Sequence, residues 1–207
     1  PPLASHRFSR DVLELRIFAE CEQANSPRNP SLIILLTHLK SQIDRDGIDP
    51  GGCLRRKAEL EKLIDIYGEV EAEFSGQVPV VIAGDFNGVA SECGMEEEFA
   101  AIYQKTQLQD CLQIAEIDSA ERFTFQQFNR QQVTIQKQFD YIFLPPSLAD
   151  RVERRETRVY HYRDEFKMPI QFARNVQERS LIPSDHFPIV VCLTSDLVRP
   201  TSTNPAR

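Results

Sequence analysis

Two uninterrupted apolar runs constrain this chain more than any other feature. Leu32-Ile33-Ile34-Leu35-Leu36 and the stretch from Val78 to Ala83 contain no hydrogen-bonding or charged side chain. A strand whose side chains are all apolar needs cover on both faces, so each run belongs inside a sheet with layers above and below it. Both runs end in polar signatures: Thr37-His38-Leu39 after the first, and Gly84-Asp85-Phe86-Asn87 after the second. A third signature, Ser184-Asp185-His186, stands just before the apolar segment Pro188 to Leu193. A strand end can hold a polar side chain rigidly while it still faces a cleft. Jointly the three supply two histidines, two carboxylates and an amide.

The rest of the pattern fits around these runs. Val12 to Ile17 alternates apolar and polar residues, which predicts a half-buried strand. Ser41 to Gly52 is a surface loop rich in Asp and Gly. Leu60, Leu63, Ile64 and Tyr67 recur at helical spacing and predict an amphipathic helix over Leu54 to Phe74. A second helix is expected from Glu96 to Gln104. Further strands are expected at Phe123-Thr124-Phe125, Phe139 to Leu144, Thr157 to Tyr162 and Pro188 to Leu193, with a hairpin across Gln126 to Gln138. Arg163 to Pro183 reads as an irregular active-site loop or a local insertion, and Ser195 to Arg207 as a frayed tail. Many strands with only two clear helices predict an α/β (α+β) fold, a layered β-sandwich flanked by helices. About eight strands are too few for two complete facing sheets.

One domain, residues 1–194, is the natural expectation for 207 residues. A net charge of −7 argues against a general polyanion-binding surface, though not against a local cationic cleft. No run approaches the ~18 apolar residues of a membrane span. Cys21, Cys53, Cys93, Cys111 and Cys192 are odd in number and widely spaced, which fits free thiols in a reducing, cytoplasm-like compartment better than disulfides or a zinc site. A monomer is expected.

Asp85 and Asn87 can flank one point in space, the carboxylate taking a proton or a metal and the amide donating to a phosphate oxygen. Gly, Asp and Asn are equally the residues of a β-turn. His186 can carry a proton near neutrality, and Asp140 is the candidate to fix its tautomer. His38 ends the most apolar strand and reads either as a site residue or as a satisfied core histidine. Lys40 and Ser41 follow it into the loop and could meet an anion. Arg10 alone reads as a solvated cation, and His6 and His161 as surface residues. No nucleophile elbow surrounds Ser184.

In this order, the landmarks resemble the endonuclease/exonuclease/phosphatase superfamily, whose fold is deoxyribonuclease I-like. Thr37-His38-Leu39, Gly84-Asp85-Phe86-Asn87, Phe139-Asp140-Tyr141-Ile142-Phe143 and Ser184-Asp185-His186-Phe187-Pro188-Ile189 are similar to its motifs, and Phe8-Ser9-Arg10 to its arginine-bearing stretch. The resemblance implies a metal-dependent phosphodiester hydrolase. His186, oriented by Asp140, would act on the scissile phosphate. Asp85 would position or deprotonate water, and Asn87, His38 and Arg10 would hold phosphate oxygens. Asp185 would help to bind Mg²⁺ or Mn²⁺. The family's Asn and Gln-Glu segments, the latter bearing the principal metal-ligating glutamate, would lie upstream of Pro1. The chain is thus expected to be the C-terminal two-thirds of such a domain. Phe139-Asp140-Tyr141, in place of the Cys-Asp-Arg of inositol polyphosphate 5-phosphatases, favours a nuclease-like substrate, nucleic acid or another phosphodiester. A lipid or inositol phosphate phosphoesterase and a non-catalytic interaction domain are the alternatives.

Overall fold

A computed structural model of the chain describes residues 8–19, 29–43, 47–90, 97–170 and 172–194. In chain order its strands are β1 (Leu13–Ile17), β2 (Leu32–His38), β3 (Val80–Asp85), β4 (Gln109–Asp110), β5 (Phe125–Phe128), β6 (Thr134–Lys137), β7 (Asp140–Leu144), β8 (Arg158–Val159) and β9 (Ile189–Val190). The helices are α1 (Cys53–Glu73), α2 (Ala100–Lys105), α3 (Cys111–Ile114), α4 (Pro146–Ala149) and α5 (Val176–Arg179). A five-stranded mixed sheet, ordered β1-β2-β3-β7-β4, forms the central layer, and β5-β6 and β8-β9 make two small antiparallel ribbons.

The two apolar runs lie side by side in the middle of that sheet, as their composition requires. β2 and β3 are parallel, and their side chains divide between two cores. Ile33, Leu35, Val80 and Ile82 pack beneath Leu60, Leu63, Ile64 and Tyr67 of α1. On the opposite face Val81 joins Leu112, Leu144, Leu148 and Phe187, with Leu32 and Ile34 partly buried against them. Burial of each of these large side chains contributes roughly 1.5–3 kcal/mol. The α1 core extends into a knot of rings, Phe86, Phe99, Tyr141 and Phe143, which meet edge-on, tilted or stacked at centroid distances of 5.3–5.9 Å.

Several elements differ from the sequence expectation. β1 is an edge strand and all five of its residues are exposed, because among the described residues only β2 pairs with it. β3 starts after Pro79, which supplies no N–H to the ladder, and it continues through Gly84 to Asp85 rather than ending at Ala83. Only Arg158 and Val159 form a strand within Thr157 to Tyr162, and Ile189 and Val190 within Pro188 to Leu193, where the residues are half-buried. The second helix begins as a 3-10 turn at Glu97–Phe99 before α2. His161 is half-buried against Phe172, centroids 4.5 Å apart, rather than on the open surface. The β5–β6 hairpin falls within Gln126 to Gln138 apart from its first residue. Cys53, Cys111 and Cys192 are free thiols. Cys21, Cys93, His6 and the tail 195–207 lie outside the described residues. Among those described, no helix is long and apolar enough to cross a membrane.

Gly84 is fixed by the approach of two backbones. Its φ is +141°, and a Cβ there would sit 1.9 Å from the carbonyl oxygen of Thr37, its register partner on β2. Backbone cannot retreat from such a clash without parting the strands. Gly84→Ala is therefore expected to destabilise the fold by about 3 kcal/mol, measured as a lowered urea midpoint. An unchanged midpoint would show that β2 and β3 do not meet in this way.

Candidate active site

Strand register brings the first three residues of the site together. The β2–β3 pairing sets His38 opposite Asp85, and the β3–β7 pairing sets Asp85 opposite Asp140. Residues directly opposed across a ladder point to the same face, so an imidazole and two carboxylates form a row across three adjacent strands. Nε2 of His38 lies 3.3 Å from Oδ2 of Asp85.

The Gly-Asp-Phe-Asn segment is both a turn and part of the site. Phe86, fully buried, anchors the segment by its ring and by donating its N–H to Phe139 O at 2.8 Å. Asn87 takes a left-handed conformation, φ +50°, which Asn tolerates better than most side chains. Its N–H donates to Asp85 Oδ1 at 2.8 Å, and its Nδ2 donates to Asp85 Oδ2 at 3.0 Å and to Leu39 O at 3.2 Å.

His186 arrives from a segment far away in sequence. Its Nδ1 is 2.8 Å from Asp140 Oδ2, and its Nε2 lies 3.9 Å from Asp85 Oδ2. Thr124, which is fully buried, ties the two segments together. Its hydroxyl oxygen accepts the N–H groups of Phe139 and Asp140 at 3.0 and 2.9 Å, and its carbonyl accepts the N–H of Phe187 at 2.7 Å. The pattern Phe123-Thr124-Phe125 predicts a strand, but β5 begins at Phe125 and Thr124 stands just before it. Its signal was a lone hydroxyl between two phenylalanines.

The other expected site residues sit at the margins. Arg10 donates from Nη1 to Leu39 O at 3.2 Å, which sets its guanidinium at the edge of the group. Asp185 points away from the His186–Asp140 pair toward Arg179, 3.6 Å from its Nη2, and its side chain is 41% exposed. Lys40 turns its ammonium back to the carbonyl of Ser41 at 3.0 Å.

The electrostatics separate the two histidines. The hydrogen bond to Asp140 raises the His186 pKa, outweighing partial burial. Desolvation lowers that of His38 despite the attraction of Asp85. Burial pushes the Asp85 carboxyl up, against the Asn87 N–H, which favours its charged form. A carboxylate of raised pKa is a stronger base, and an imidazole of raised pKa keeps its positive charge closer to neutrality.

Asp85, Asp140 and His186 each offer one ligand atom within 4.8 Å of the others, so this group could hold a metal ion. Mg²⁺ favours oxygen ligands in an octahedron and retains several waters. Here Asp140 is engaged by His186, and Asp85 by Asn87. The donors present therefore fit a partial shell, one or two carboxylates with the remaining positions left to water and substrate.

No protein-family model and no curated protein matches the chain. Solved structures do. Truncated TDP2 from Caenorhabditis elegans is 20% identical, with a TM-score of 0.52 over 86% of this chain and 65% of its own. A second structure of TDP2 from C. elegans matches with the same identity and TM-score, over 86% of this chain and 50% of its own. The chain thus spans between half and two-thirds of the length of these neighbours. Its fold is the deoxyribonuclease I-like α/β fold that the motifs implied.

In an NMR titration, the His186 ring is expected to titrate above the ordinary value of about 6.5, and Asp140→Asn to bring it down. The sign follows from the raised folded-state value. Stabilisation from this pair is complete below the unfolded-chain pKa and is lost as pH rises through the folded one. A ring titrating at or below the ordinary value would mean that the Asp140 bond does not persist in solution.

Proposed function

We propose that this chain carries the core of a metal-dependent phosphodiester hydrolase, with nucleic acid as the leading substrate class. The supporting observation is the convergence of His38, Asp85, Asp140 and His186, from four separate stretches, on one cluster with Asn87 and Arg10 at its edge. The cluster combines a general base, a cation that can meet developing negative charge, and donors for phosphate oxygens.

In this reading Asp85 orients the attacking water and takes its proton. The water oxygen bonds to phosphorus as the bond to the leaving oxygen breaks. His186, held by Asp140 through Nδ1, presents Nε2 to the phosphoryl group, where its charge stabilises the transition state. Asn87, His38 and Arg10 bind non-bridging oxygens. Mg²⁺ or Mn²⁺ would be held by a carboxylate of the Asp85, Asp140 and His186 group rather than by Asp185, which faces Arg179, and would supply Lewis-acid polarisation of the phosphoryl oxygen. Arg10 and His186, whose proton the Asp140 bond retains, provide the local cationic character that a chain of net charge −7 needs to accept a phosphodiester.

The test, made on the complete domain, compares nicking of plasmid DNA with release of phosphate from inositol phosphates, each with Mg²⁺, Mn²⁺ or EDTA. Nicking that requires the metal, and that falls by at least ~10²-fold in His186→Ala, is the expected result. Metal-dependent phosphate release without nicking would transfer the proposal to a phosphomonoesterase. Equal rates with metal and with EDTA would remove it.

A further inference from the structure

Glu59 is a charged residue on the buried stripe of α1, and nothing in the chemistry above employs it. Its carboxylate is almost fully buried, in line with Leu60 and Leu63. Desolvating a carboxylate is costly, and an apolar side chain would suit this stripe better unless the charge holds something in place. What it holds is backbone. Oε1 accepts the N–H of Ser9 at 2.6 Å, and Oε2 accepts the N–H of Lys40 at 2.7 Å. Arg55 stands at 3.6 Å from Oε1.

These two amides flank the phosphate-holding side of the site. Ser9 immediately precedes Arg10. Lys40 follows Leu39, whose carbonyl accepts from both Arg10 Nη1 and Asn87 Nδ2. The Lys40 carbonyl is gripped in turn by buried Arg56, whose Nη1 donates to it at 3.2 Å and to Gly51 O at 2.6 Å, while its Nη2 meets Glu98 at 2.9 Å. One carboxylate therefore links the chain bearing Arg10 to the loop that leaves His38.

We propose that Glu59 is a positioning residue, its two oxygens clamping the Ser9 and Lys40 amides so that Arg10 and His38 face one phosphate. The assignment rests on the phosphodiesterase reading above. Both oxygens must accept. Glutamine would turn an N–H₂ toward one of the two amides, and aspartate would fall short of both.

The test joins amide exchange with kinetics in the full chain. In Glu59→Gln, exchange at Ser9 and Lys40 accelerates while the interior of β3 stays protected, and kcat/KM for plasmid nicking falls about tenfold. In an Arg10→Ala background the same substitution costs less than about threefold, because one of the two groups being positioned is gone. A purely structural role would give equal losses in both backgrounds, and that result overturns the assignment. Should Glu59→Gln fail to fold, Ser9→Pro deletes only one donor, and the same coupling to Arg10 is expected. Unchanged exchange at Ser9 and Lys40 sinks Glu59's role alone. Absence of both metal-dependent nicking and metal-dependent phosphate release sinks the reading of the site itself.

Discussion

The alignment of β2, β3 and β7 is the constraint on which the rest of the structure depends. Thr37 faces Gly84 and His38 faces Asp85 across a parallel pair, while Asp85 faces Asp140 across an antiparallel one. Side chains alternate along a strand, so a slip of one residue in either ladder would send one partner to the opposite face. The slip is resisted from both sides, since Ile33, Leu35 and Ile82 would leave the α1 core together. Apolar packing thus fixes the register, and the register fixes the polar row. Gly84 permits the closeness that the arrangement needs, as no side chain fits against the Thr37 carbonyl.

The fourth member of the cluster is placed by different means. His186 belongs to no long strand. It reaches Asp140 because a bridge pairs it with Phe125, Gln126 donates to the carbonyl of Asp185, and Phe187 donates to that of Thr124. Tyr162 adds a hydrogen bond to the His186 carbonyl at 3.0 Å. A short segment is therefore held by hydrogen bonds on either side of the histidine, while Phe187 plugs the second core. In an extended stretch adjacent side chains diverge. His186 turns toward the two aspartates, and Asp185 faces Arg179.

Three polar side chains buried around the cluster are each spent on two backbone groups. Thr124 receives two amides, Glu59 receives two, and Arg56 grips two carbonyls. Such bonds satisfy loop backbone that no ladder can reach. They also make the loop after β2 and the chain before β1 depend on α1, a helix that contributes no residue to the cluster itself.

The sequence by itself determined the two central strands, the long helix and the hairpin, and it singled out His38, Asp85, Asn87, Asp140 and His186, which the structure brings together. These are written in local pattern: all-apolar runs, a helical stripe, and polar residues at the ends of strands. It did not determine that Gly84 lies within a strand, that β1 is wholly exposed, or that Thr124 and Glu59 hold the site together. Those facts depend on which backbone approaches which, over separations of 15 to 50 residues. Only the tertiary structure decides such approaches, because a hydrogen bond between distant segments leaves no period in either one.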